Sequence, residues 1–314
     1  MPRIPPLLRL LSIPLLAIPL LVGAAAAKTF QIGPEKPLKT LAEGLAEAAE
    51  GDRLLIDEGE YFDCAIIKVN DLIIEGAGKG GSTVFTDKTC AGKALLIAAG
   101  DNITVRNLTL TRARVPDGNG AGIRAEGANL TVERVKFINN ENGILAGVNK
   151  ASTIIVKDSV FTRNGVCGNA CSHGIYAGGI KLLHVETSTF SETKQGHHIK
   201  SRAARTEVIG CTITDGPTGT SSYLIEIPNG GGVLVKNNTL EKGPKSENHT
   251  GAVVIGMEGV TQATREIIVE DNIFRNTGDY PTFLVVNQTA TEAMVKGNKL
   301  SGKSKPLRGD GMVQ

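Results

Sequence analysis

One short pattern occurs eight times along the chain. Asn102-Ile-Thr-Val-Arg-Asn-Leu108 comes back as Asn129-Leu-Thr-Val-Glu-Arg-Val-Lys-Phe137, as Thr153-Ile-Ile-Val-Lys-Asp-Ser-Val-Phe161 and as Leu182-Leu-His-Val-Glu-Thr-Ser-Thr-Phe190. Further copies begin at Arg205, Gly232, Glu266 and Glu292. The valines anchoring the copies are Val105, Val132, Val156, Val185, Val208, Val235, Val269 and Val295, at spacings of 27, 24, 29, 23, 27, 34 and 26 residues. Each copy alternates apolar and polar residues, the mark of half-buried strands. Asn- and Gly-rich breaks separate the strands. One copy cannot bury its own apolar side, so the copies must stack. A leucine-rich repeat shares the period, but its leucine ladder is absent.

Three short strands per copy and no helical period predict an all-β chain wound as a single right-handed parallel β-helix, a solenoid. A core of this kind needs little aromatic bulk, and the chain has no tryptophan and 4% aromatic residues. Leu38 to Glu50 reads as an amphipathic helix, placed to cover the open strand edge at the N-terminal end. The block Asp52–Phe85 resembles the opening coils of the pectin-lyase-like β-helix superfamily. That resemblance covers nearly all of residues 28–302, and it specifies architecture more than activity.

Residues 1–27 have the order of an export signal. Arg3 and Arg9 precede an apolar run from Leu10 to Val22, and small residues follow. The run is too short to span a bilayer. The expected divisions are therefore a signal at 1–27, the β-helix at 28–302, and a loose tail at 303–314 rich in Lys, Pro and Gly. The expected product is secreted or periplasmic, without stable membrane insertion after cleavage. A net charge of +2 gives no basic stripe for nucleic acid. Of five cysteines, Cys167 and Cys171 are close enough to close a small ring, Cys64 and Cys90 are candidates for a second bridge, and Cys211 is left over.

The second strand of successive coils aligns as Gly122-Ile-Arg-Ala, Gly143-Ile-Leu-Ala, Gly174-Ile-Tyr-Ala, His198-Ile-Lys-Ser and Leu224-Ile-Glu-Ile. If the isoleucines point inward, then Arg124, Leu145, Tyr176, Lys200 and Glu226 form an outward column. His198 and Arg202 flank Lys200, while His173, His197 and Tyr223 lie just before these strands. Three of the five histidines thus fall in one patch with two cations. Such a patch attracts an anionic ligand. Lys200 or His198 is the candidate base for the proton alpha to a uronate carboxylate, and Tyr176 the acid for the leaving oxygen. Arg202 is the candidate stabiliser of enolate-like charge. His173, His197, Tyr223, Glu226 and Arg124 are candidate substrate contacts. The bland alternative is a surface ion pair between Lys200 and Glu226, with histidines that bond to backbone.

Ile199-Lys-Ser-Arg202, followed by the turn Pro228-Asn-Gly-Gly231, resembles the alginate and chondroitin lyases built on this helix. The resemblance implies Lys200 as base. The next rung reads Glu226-Ile-Pro-Asn-Gly where that family carries Arg-His-Gly. Half of a pectate-lyase motif stands at Arg114-Val-Pro116, and the paired aspartates of polygalacturonases are absent. Asn139–Asn142 and Asp271-Asn272 have the composition of calcium ligands, but Asn at such turns more often bonds to backbone. Calcium stays an open cofactor, and no metal ligand is assigned. Ser221 and Ser222 lack the partner order of a hydrolase triad. The leading expectation is a monomeric lyase of an acidic polysaccharide, acting by β-elimination. The alternatives are a C5-epimerase and a non-catalytic glycan-binding or envelope-associated module.

Overall fold

The computed structural model describes Met1 and residues 26–314, so the export-signal reading of residues 1–27 lies almost wholly outside the described residues. Each coil supplies one strand to each of three parallel sheets. A representative coil runs 121–125, 130–133 and 136–138 before the next begins at 142. The sheets hold ten, twelve and ten strands. They are called here the isoleucine, valine and phenylalanine sheets after their inward columns.

The columns follow from side-chain alternation. All eight anchor valines pair rung to rung in register, and all are buried. In the phenylalanine sheet, Phe137, Phe161 and Phe190 stack with ring centroids 4.5 Å apart. Burying a Val, Ile or Phe side chain is worth about 1.5–3 kcal/mol, and only a neighbouring coil provides the cover. At the corner between the valine and phenylalanine sheets the column turns polar. Asn238, Asn272 and Asn298 each donate a side-chain N–H to a backbone carbonyl of the preceding coil. The Asn272 and Asn298 side-chain oxygens accept from the residue stacked on the previous rung. Asn272 is thereby consumed by structure, and so is Asn140, which bonds Ala113 and Leu110.

The N-terminal helix spans Leu41–Glu47, shorter than the expected 38–50. Thr40 and Glu43 form a capping box that starts it. The Asp52 carboxylate accepts from the N–H groups of Ala49 and Lys28, and the chain turns there instead of continuing. Leu38 sits outside, bridged to Ile32. Leu41 and Gly44 pack on Ile32 and Leu54 at the end of the stack. The expected loose tail is also corrected. Residues 304–308 and 311–313 are strands that extend the isoleucine and valine sheets. Backbone pairing with the preceding coil outweighs local composition there, and Pro306 is tolerated because its strand is the edge. Disulfides join Cys64 to Cys90 and Cys167 to Cys171, and Cys211 is a free, buried thiol. Among the described residues, no helix is long and apolar enough to cross a membrane.

Candidate functional site

The isoleucine sheet holds the expected register. Ile123, Ile144, Ile175, Ile199 and Ile225 pair in sequence and are buried. On the opposite side Arg124, Leu145, Tyr176, Lys200 and Glu226 follow rung by rung, about 4.8 Å apart. The charged part of this column is not a bare surface. Lys200 is 9% exposed and Glu226 4%.

Lys200 Nζ lies 2.7 Å from Glu226 Oε2 and 2.6 Å from Glu258 Oε1. Glu226 Oε2 also lies 3.0 Å from His197 Nε2. Both His197 and Lys200 thus converge on the same buried carboxylate oxygen. Burial would raise the Glu226 carboxyl, but His197 and Lys200 overcome that and hold it at about 2. Arg202 spreads its guanidinium over three partners. Nε donates to Tyr176 Oη at 2.9 Å, Nη2 to Glu258 Oε2 at 2.6 Å, and Nη1 to Asn229 Oδ1. Lys200 and Arg202 therefore meet at a single carboxylate, that of Glu258, and Tyr176 is tied to them through Arg202.

The histidines divide. His173 and His197 stack at 4.9 Å, and His197 stacks on Tyr223 at 5.3 Å. His173 Nδ1 accepts the His197 backbone N–H, and His197 Nδ1 accepts that of Tyr223, each at 3.0 Å. Burial, and for His173 the neighbouring His197, Lys200 and Arg202, push both imidazoles down. In the neutral form each ring keeps its proton on Nε2 and has no free lone pair for base work. Both lie just before their strands, 175–177 and 199–201, at the edge of the site. His198 is a correction to the expected layout. Alternation fails at the corner where its strand begins, so the ring turns inward and is fully buried. It bonds Thr193 Oγ1 at 2.8 Å and Asp215 Oδ1 at 3.0 Å and takes no part in the Lys200–Glu258 cluster. Ser221 donates to the same Asp215 oxygen. The carboxylate stands between serine and histidine, an order that activates no nucleophile.

Glu258 and Asn229 escaped the reading of the sequence. The signal available was spacing. The longest interval, 34 residues from Val235 to Val269, holds the loop between strands 251–255 and 267–270 that carries Glu258 back over the site. The next longest, 29 residues from Val156 to Val185, holds the loop closed by Cys167 and Cys171. That loop borders a cleft of about 300 Å3 whose lining includes Asn119, Arg124, Leu145, Cys171 and Tyr176. Beyond Glu226 the next outward rungs, Val254 and Val286, are buried in a cluster with Tyr223 and Phe283. The accessible floor thus runs from Lys200 toward Arg124. Arg124 is three rungs from Lys200, beside Glu126 at 3.9 Å, and takes no part in the Lys200 cluster.

A family model described as "Right handed beta helix region" matches residues 166–308. No curated protein sequence matches the chain. Among solved structures, an alginate lyase from Paenibacillus sp. str. FPU-7 superposes with a TM-score of 0.63 at 16% identity, over 90% of this chain and 99% of that one. Pectate lyase Pel9A superposes with a TM-score of 0.51 at 13% identity, over 90% of this chain and 80% of that one. The fold is a right-handed parallel β-helix.

On this β-helix the residues present do not suit calcium. The two carboxylates of the site, Glu226 and Glu258, are engaged by His197, Lys200 and Arg202. Among the described residues, no group of three or more His, Cys, Asp or Glu side chains is placed to hold a metal ion. The β-helix instead offers a cationic fork, a phenol fixed by that fork, and a one-sided cleft.

Proposed function

We propose that this protein acts outside the cytoplasm on an acidic, uronate-containing polysaccharide, at the Tyr176–Lys200–Arg202 cluster and by β-elimination. The observation that carries the reading is the convergence of two cations on one carboxylate, with a phenol on the adjacent rung held by one of them. A uronate taking that place lays its carboxylate on Arg202, beside Lys200 Nζ. Neutralising it stabilises the charge that develops as the alpha proton leaves. Lys200 takes that proton after giving its own to solvent. Tyr176, its oxygen held by Arg202 Nε, hands its proton to the leaving glycosidic oxygen. The carbon–oxygen bond breaks and an unsaturated uronate remains. The two structural neighbours named above are an alginate lyase and a pectate lyase, enzymes of acidic polysaccharides on the same fold. Two disulfides suit an oxidising compartment. The working form proposed is a monomer.

A second reading, binding without turnover, is favoured by one contact. Glu226 stays ionised down to about 2 and keeps its carboxylate 2.7 Å from Lys200 Nζ, so Lys200 already has a buried partner. C5-epimerisation shares the proton abstraction and belongs with the first reading. The test is absorbance of unsaturated uronate, with the mature protein and a panel of uronate polymers, with and without calcium. A signal lost in Lys200→Ala supports elimination. Binding without any signal supports the second reading and sinks the lyase on those polymers.

A further inference from the structure

We infer that Glu258 is a resident competitor: its carboxylate fills the subsite that reads a ligand carboxylate, and only an anion able to replace it on both cations is admitted. The inference rests on the proposed polysaccharide site and names the group that sets its selectivity. Glu258 uses one oxygen for each cation, Oε1 for Lys200 Nζ and Oε2 for Arg202 Nη2, both at 2.6 Å. That bridging geometry fits a planar carboxylate. Glu258 does not belong to the rungs it covers. It reaches them from a loop one coil beyond Glu226, whereas Glu226 pairs with Lys200 in register.

Its side chain is 41% exposed, while those of Lys200 and Arg202 are 11% and 25% exposed. It lies on top of the cations, open to solvent, outside the packed layer. The backbone beneath is anchored. Glu258 N–H donates to Pro228 O, Asn229 Nδ2 to Gly259 O, and the N–H groups of Thr261 and Gln262 to Asn229 O, each at 3.0 Å. Release is therefore a rotation of one side chain, with the loop staying in place. A ligand meets an open fork only in the fraction of molecules whose Glu258 has swung out, and its apparent affinity falls by that fraction. A neutral sugar offers the cations nothing in exchange and leaves Glu258 where it is.

The test is calorimetric titration of D-glucuronate, and of methyl glucoside as the neutral probe, into the full mature chain. Wild type is compared with Glu258→Ala and with Glu258→Gln, which keeps the shape of the side chain. Removing two charge-assisted bonds from the competing state tightens glucuronate binding by about tenfold or more in Glu258→Ala, less in Glu258→Gln, with methyl glucoside unchanged. Thermal unfolding verifies that both variants are folded. Glucuronate binding that is unchanged or weaker in both variants overturns the inference and makes Glu258 a positioning residue for the two cations. Polymer binding and turnover read the proposed function separately. Their absence, with glucuronate still tightened by Glu258→Ala, sinks the polysaccharide reading and leaves the competitor standing.

Discussion

Two outer faces of the same solenoid carry charge in different ways. On the valine sheet, Glu75, Arg106, Glu133, Lys157 and Glu186 follow on consecutive rungs, and after Ile209 the column resumes with Lys236, Glu270 and Lys296. Signs alternate, and partners are one rung apart: Arg106 with Glu75 at 2.7 Å, Lys157 with Glu186 at 3.1 Å, Lys236 with Glu270 at 2.8 Å. Such a ladder favours correct register, and each exposed pair adds little stability. On the isoleucine sheet the cations outnumber their in-register partners, and Glu258 comes from another coil to cover them. Charge balanced within the repeat is scaffold. Charge balanced by a residue outside the repeat is found where the proposed ligand site lies.

The contrast is open to attack by mutation. Lys200→Ala is expected to lower kcat/KM on a turned-over polymer by about 10²–10⁴-fold, while Lys157→Ala and Lys236→Ala leave it unchanged. Initial rates decide, and an equal loss in a ladder lysine breaks the comparison. Glu226→Gln leaves Lys200 and His197 without their buried partner and is expected to cost about 3–5 kcal/mol in urea unfolding, whereas Glu270→Gln leaves the midpoint unmoved. Glu226 is held at about 2, below the usual carboxylate value, so its contribution is full above about 4.5. It is lost as pH falls toward 2, and Glu226→Gln flattens that acid limb.

A charge belonging to neither face sharpens the contrast. Lys242 is fully buried, donates to Ser222 O at 2.7 Å, and is pushed down to about 8 by burial. The unfolded chain holds that proton more tightly, so stability rises with pH between about 8 and 10.5, by on the order of 3 kcal/mol. Lys242→Met abolishes the rise in denaturation midpoints measured across that range. The smallest effect belongs to the ladder itself. Salt should leave the unfolding midpoint of Lys157→Ala where it leaves that of wild type, because exposed pairs are already screened.

Much of this was legible before any coordinates. The valine spacing, the inward isoleucines and the outward Arg124–Glu226 column all rest on alternation, which a strand cannot violate without leaving its sheet. Cys167 and Cys171 were readable from their proximity, and Cys64 and Cys90 stood as candidates for the second bridge that the structure contains. His198 was not, because alternation holds only inside a strand and this ring sits on the residue before Ile199. Glu258 was not, because a loop outside the repeat has no counterpart on another coil to align with. The ordered 304–313 segment was hidden by composition, since its order comes from pairing with 282–287 and 293–295. What a residue does inside a rung is written in the period, and what reaches across rungs is written only in the departures from it.

The bond between Cys64 and Cys90 joins residues that lead into adjacent strands, 65–67 and 94–98, on successive coils. Coils of a solenoid touch only their neighbours. Under a pulling force or a denaturant those two coils cannot peel apart while the sulfur bridge is intact. Unravelling therefore has a direction: it runs through the unstapled coils first and stalls at the riveted end, which remains a template on which the next coil can rewind.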